Sequence, residues 1–289
     1  MLPPVPVLRF APSPNGQLHL GHAYSALLNS DLARRMGGRL LLRIEDIDLA
    51  RSQPRYVEAI FEDLRWLGLS WAEPVRRQSE HFSDYRAAAA KLEAMGLLYP
   101  CFASRTEIEA AAGPAPMSDP DDAPLYPGLW RGADPANVRR RKQAGEPFAM
   151  RLDMVRALEA VGEPLAWSRF DPDAPSRLMQ HNSDPARWGD AVIVRKETPT
   201  SYHLSVVVDD ALQGATHVVR GADLEAATDL HLLLQALLGL PSPAYCHHGL
   251  VSDPNGRKLS KSLGDTSLAQ LRREGATPQD VRRLVGLAR

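Results

Sequence analysis

The chain has 289 residues, 44% hydrophobic and 24% charged, enough to bury a sizeable core in one large domain or two smaller ones. A formal net charge of −1 argues against a protein that grips nucleic acid mainly through its phosphates, so any RNA contact would be local or brief. No apolar run approaches the ~20 residues that span a bilayer, the opening MLPPVP lacks a secretory pattern, and Cys101 and Cys246 are too far apart in sequence to suggest a disulfide framework. The expectation is a cytoplasmic protein with no membrane partner.

Residues 5–11 read as a short buried strand, broken by Pro12, Pro14 and Gly16. A helical pattern over 21–36 stops at Gly37 and Gly38. RLLLRI at 39–44 reads as a strand buried on both faces. This βαβ opening predicts a ligand at the carboxyl end of its first strand. Helices follow over 54–67 and 83–95, then a strand over 97–102. Residues 113–137, rich in Pro, Gly, Asp and Ala, read as loop. A basic helix, a strand at 148–152 and turns fill 134–175. Strands are expected at 191–194, 205–208 and 217–220, a helix at 222–238, and a strand at 245–251. A last helix over 277–287 starts with Thr277 as cap and Pro278 behind it. The fold class is therefore α/β. A Rossmann-like parallel-sheet domain, 1–100 and 176–250, is split by an α+β insertion at 101–175 and followed by a tail at 251–289.

Two motifs carry chemistry. His19-Leu20-Gly21-His22 falls at the start of the first helix, where free N–H groups and the positive dipole end favour phosphate. Gly21 removes a Cβ from a backbone that a nucleotide would approach. The two imidazoles, on one helical side, can donate to phosphates as charge builds. Alone this is a weak pattern; a metal fragment is the alternative, without a third ligand at suitable spacing. The second motif is Lys258-Leu259-Ser260-Lys261-Ser262, whose ammonium groups can clamp a triphosphate. By itself it would read as a solvated loop.

Together, at opposite ends of the chain, the two motifs resemble the HIGH and KMSKS signatures of class I aminoacyl-tRNA synthetases. RFAPSP at 9–14, LHLGH at 18–22, LRIED at 42–46, VVVDD at 206–210 and VRGAD at 219–223 resemble the glutamyl and glutaminyl branch. With Arg289 soon after the second motif, the expectation is a chain without an anticodon-reading helical half. That length, RIEDID and VVVDD narrow the resemblance to the glutamyl-Q tRNA(Asp) synthetases, which attach glutamate to queuosine at the wobble position of tRNA(Asp).

The resemblance implies ATP with Mg²⁺, L-glutamate and queuosine-bearing tRNA(Asp) as partners of a monomer. It implies catalytic His19, His22, Lys258 and Lys261, with ATP at His19, Gly21, His22 and Lys261. Glutamate would meet Arg9, Phe10, Ala11, Pro12, Ser13, Glu45, Tyr202 and Arg220. Guanidinium groups bind carboxylates bidentately, so Arg9 and Arg220 suit the two carboxylates; Glu45 suits the ammonium, and the Tyr202 hydroxyl can donate. The plainer alternatives are salt bridges from Arg9 or Arg220 to Asp46 or Asp223, and a packed core tyrosine at 202.

The sequence departs from the family at a structural zinc held by a Cys-x-Cys pair, a tyrosine and a third cysteine. Cys101 and Tyr126 remain, but Ala103 and Trp130 stand where cysteines are expected. Two ligands do not close a tetrahedral site, so no zinc is expected, with Phe102 and Trp130 packing in its place. Other readings are a short glutamyl-tRNA synthetase charging a 3′ end, a non-catalytic synthetase paralogue, and another nucleotidyltransferase with an HxGH motif.

Overall fold

The computed structural model describes residues 5–251 and 266–287. In chain order the elements are β1 (Val7–Phe10), α1 (Leu20–Arg35), β2 (Arg39–Ile44), α2 (Pro54–Trp66), β3 (Ala72–Arg77), α3 (Phe82–Ala94) and β4 (Leu98–Cys101). Then come α4 (Arg105–Ala112), α5 (Pro135–Gln143), β5 (Ala149–Leu152), α6 (Met154–Val161), β6 (Ala166–Asp171) and β7 (Ala174–Asn182). The last are β8 (Val192–Val194), α7 (Tyr202–Leu212), β9 (His217–Gly221), α8 (Ala227–Leu238), β10 (Ala244–His248), α9 (Leu268–Arg273) and α10 (Pro278–Leu284).

Seven strands form the main sheet in the order β3-β2-β1-β9-β10-β6-β7, and every pairing except β6 with β7 is parallel. β4, β5 and β8 make a separate antiparallel sheet. The class is Rossmann-like α/β, as the opening βαβ pattern implied. The strand order reverses between β1 and β9, and a ligand crevice is expected outside the carboxyl ends of strands at such a switch point.

The strands that flank this point alternate in a way that decides the chemistry. Leu8 and Phe10 of β1, Leu40, Leu42 and Ile44 of β2, and Val219 of β9 pack into one core with α1 and α2. Arg9, Arg43 and Arg220 hold the intervening period-2 positions and are equally buried. A second core joins α3, α6, α7 and α8 to the small sheet.

One expected strand is a helix. Residues 205–208 lie inside α7, capped by Ser201, whose side chain accepts from the Leu204 N–H. Every residue from Leu204 to Asp210 is buried, so the helical period is erased, and a valine run then reads as strand. The last helix does start at Thr277 with Pro278, closed by a capping box with Asp280. Among the described residues no helix is long and apolar enough to cross a membrane.

Candidate active site

A cavity of about 520 Å³ opens at the switch point. Its lining includes Arg9, Phe10, Ala11, Pro12 and Ser13 after β1, His19, Gly21 and His22 at the start of α1, and Glu45 after β2. Tyr202 from α7 and Arg220 from the end of β9 complete the set. These are all the expected site residues that fall among the described ones. Lys258 and Lys261 lie outside the described residues, but Val251, just before them, also lines the cavity. Beyond them, Ser267 bridges to His19, and the Leu268 N–H donates to the Leu18 carbonyl at 2.8 Å.

The two histidines start the helix as well as facing the cavity. The Gly21 N–H donates to His19 Nδ1 at 3.1 Å, and the His19 N–H donates to His22 Nδ1 at 3.2 Å, a reciprocal capping box. Because both Nδ1 atoms accept from backbone N–H groups, each neutral ring carries its proton on Nε2. A Cβ on Gly21 would sit 3.0 Å from His19 Cε1, so the glycine makes room for the capping imidazole.

Below Arg9 lies an ion network that the sequence reading missed. Arg43, wholly buried, puts Nη1 at 2.7 Å from Asp210 and Nη2 at 3.0 Å from Glu45. Arg9 Nε is 3.1 Å from the same Asp210 oxygen. Asp209 accepts from Arg76, Gln78 and Tyr85 at 2.7–2.9 Å. Burial works to raise the Asp210 pKa, but the guanidinium groups of Arg9 and Arg43 outweigh it and hold the carboxyl below its usual range. Glu45 is pushed up, because burial there exceeds the pull of Arg43 and Arg9. The signals were present: an arginine inside an apolar strand, and two acids closing a buried valine run.

Arg9 therefore does make a structural ion pair, though with Asp210. Asp46 is instead occupied by Ser79 and Arg77. Arg220 is different. Nη2 donates to Thr228 Oγ1 at 2.8 Å, Nη1 to His231 Nδ1 at 3.2 Å and Tyr202 at 3.4 Å, and Nε to His247 at 3.4 Å. Among the described residues no carboxylate forms an ion pair with it. Burial first, and Arg220 second, press the pKa of His231 well below normal and that of His247 down to about 3. Burial raises the Tyr202 pKa. A cation only 5% exposed and ringed by neutral acceptors keeps a charge that an anion entering the cavity could pair with.

In the insertion, Cys101 Sγ donates to the Tyr126 hydroxyl at 3.3 Å, and that oxygen also accepts from the Trp130 N–H. The Arg141 guanidinium lies 4.8 Å and 4.9 Å from the rings of Phe102 and Trp130. With Ala103 and Trp130 in place of thiolates, this donor set does not fit a tetrahedral zinc. On the basic helix α5, Arg141 also pairs with Glu146, whereas Arg139 and Arg140 are exposed.

The model of tRNA synthetases class I (E and Q), catalytic domain, matches residues 6–288. The chain belongs to this family. A glutamyl-Q tRNA(Asp) synthetase from Rhodobacter capsulatus is 47% identical over 287 residues, covering 97% of this chain and 100% of the relative. One of the same name from Symbiobacterium thermophilum is 42% identical, covering 94% and 83%. A solved glutamate-tRNA synthetase from Elizabethkingia anophelis superposes with a TM-score of 0.76 at 26% identity. That comparison covers 97% of this chain and 61% of the solved one. This class I synthetase is thus a ligase, with an ATP-binding domain of glutamyl type.

Proposed function

We propose that the enzyme activates L-glutamate as glutamyl-adenylate and transfers it to the queuosine base of tRNA(Asp). The observation that carries this reading is Arg220: a buried guanidinium that among the described residues has no carboxylate partner, lining one cavity with Glu45, His19 and His22. One glutamate carboxylate meets Arg220, the ammonium meets Glu45, and the Tyr202 hydroxyl donates to a carboxylate oxygen. Arg9, shared with Asp210, orients the second carboxylate.

In the first step a carboxylate oxygen attacks the α-phosphorus of ATP. The bond to the bridging oxygen breaks, and pyrophosphate leaves with that electron pair. His19 and His22 donate from Nε2 to the phosphates as charge shifts outward. Mg²⁺ accompanies ATP as part of the substrate, and Lys258 and Lys261 add charge to the leaving group. In the second step a hydroxyl of the queuosine cyclopentenediol attacks the activated carbonyl and AMP departs. That vicinal diol resembles the ribose diol of a tRNA 3′ end, which makes the change of acceptor chemically small. The insertion is held by the Phe102, Arg141 and Trp130 stack rather than by zinc.

The test has two stages. Exchange of labelled pyrophosphate into ATP should depend on glutamate and on none of the other standard amino acids. Labelled glutamate should then enter tRNA(Asp) carrying queuosine and leave unmodified tRNA(Asp) unlabelled. Labelling of tRNA(Glu) at its 3′ adenosine would overturn the acceptor assignment, and absence of exchange would overturn the enzyme assignment.

A further inference from the structure

His231 sits on α8 between leucines and is 1% exposed. An imidazole in that setting is costly unless both nitrogens are bonded. Arginine has five donors and no acceptor, so His231 Nδ1, at 3.2 Å from Arg220 Nη1, must be the bare nitrogen. Its proton is then on Nε2, which lies 3.2 Å from His203 Nδ1. The arginine thus fixes the tautomer of both rings in sequence. Thr228, one turn earlier on the same helix face, holds the other guanidinium nitrogen at 2.8 Å.

An aspartate at 231 would make a stronger bond to Arg220. It would also offset the charge, with no second guanidinium to share it as Arg43 shares Asp210 with Arg9. A neutral acceptor fixes the guanidinium plane and leaves its charge available. We propose that His231, aligned by His203, is a positioning residue that orients Arg220 toward a substrate carboxylate without neutralising it. This rests on the glutamate reading of the cavity. Burial first, then Arg220, hold His203 down to about 4, so both rings stay neutral through the working pH range.

The experiment is glutamate-dependent pyrophosphate exchange by the full-length enzyme carrying His231→Asn, His231→Asp or His231→Leu, with KM measured separately for glutamate and ATP. Asparagine places an amide oxygen near the Nδ1 position, so its KM for glutamate should stay within about threefold of the parent. Aspartate and leucine should each raise that KM by about 30-fold or more, with the KM for ATP within about twofold. A purely packing role would instead disturb both KM values and thermal stability together. If the aspartate variant does not fold, the asparagine–leucine contrast carries the test. Overturning results are an aspartate variant with the parental KM for glutamate, or parallel rises for both substrates in all variants. If the parent enzyme shows no glutamate-dependent exchange, the cavity reading itself has failed and this proposal falls with it.

Discussion

The two arginines of the cavity sit on neighbouring strands, Arg9 on β1 and Arg220 on β9, and both are buried. Their surroundings are opposite. Arg9 shares Asp210 with Arg43, within a network that also holds Glu45, Asp209 and Arg76. Arg220 meets a tyrosine, a threonine and two histidines, all uncharged. One side carries its counter-charges internally; the other, among the described residues, has none. An arginine cannot shed its proton to escape burial, so Arg220 keeps its charge among these neutral partners.

The contrast is easiest to break at Arg220. Arg220→Gln should lower kcat/KM for glutamate by about 10³-fold with little change in the KM for ATP, because a buried charge-assisted contact is lost. Pyrophosphate exchange measures this, and a parental kcat/KM would make Arg220 structural. Arg43→Met should act on stability instead. It strands Asp210 and Glu45 against fewer cations and should cost about 3–5 kcal/mol in urea unfolding.

Glutamate affinity should also depend on acid pH through Glu45. Its folded pKa lies above the ordinary value, so on acidification it loses the charge proposed to meet the ligand ammonium earlier than an exposed glutamate would. Affinity should fall as pH drops through that raised value, by up to about tenfold per pH unit, and Glu45→Gln should be weak but flat. An affinity in the parent that does not change over this range would remove Glu45 from ammonium recognition.

Asp63 sharpens the comparison from the other sign. It is fully buried, neither oxygen has a hydrogen-bond partner among the described residues, and Arg272 stands 3.8 Å away. Unlike Arg220 it can neutralise itself, and burial pushes its pKa up to about 6. The folded state then binds more protons than the unfolded state between roughly pH 4 and 6, so stability falls as pH rises through that window. Asp63→Asn should flatten that slope and gain about 1 kcal/mol at neutral pH, as read from unfolding curves at several pH values. An unchanged slope would show that Arg272 already compensates the charge.

Much of the site was legible because its parts lie at element ends. Prolines and glycines punctuate β1, the histidines stand at a helix start, and Glu45 follows an apolar strand. The supporting layer was not legible. Arg43 and Asp210 are 167 positions apart, and nothing local says they meet. The all-buried α7 hides its helical period and was expected as a strand, so its paired aspartates gave no hint of facing β1 and β2. β3 and the β6–β7 hairpin were missed because their residues are largely polar or exposed, without the apolar run that marks β2.

The capping box at His19 and His22 restricts the chemistry available to this cavity. With each Nδ1 engaged by main-chain N–H groups, neither imidazole can pass a proton from one face to the other. They can give a hydrogen bond to an oxyanion but are poorly placed to abstract a proton. In the proposed second step the attacking hydroxyl then gives its hydrogen to a base other than these two rings, and the phosphate of the departing nucleotide is one that the substrates themselves bring. A reaction run this way wastes little on tuning side-chain basicity, and its rate should follow the basicity of the leaving phosphate more closely than that of any histidine in the chain.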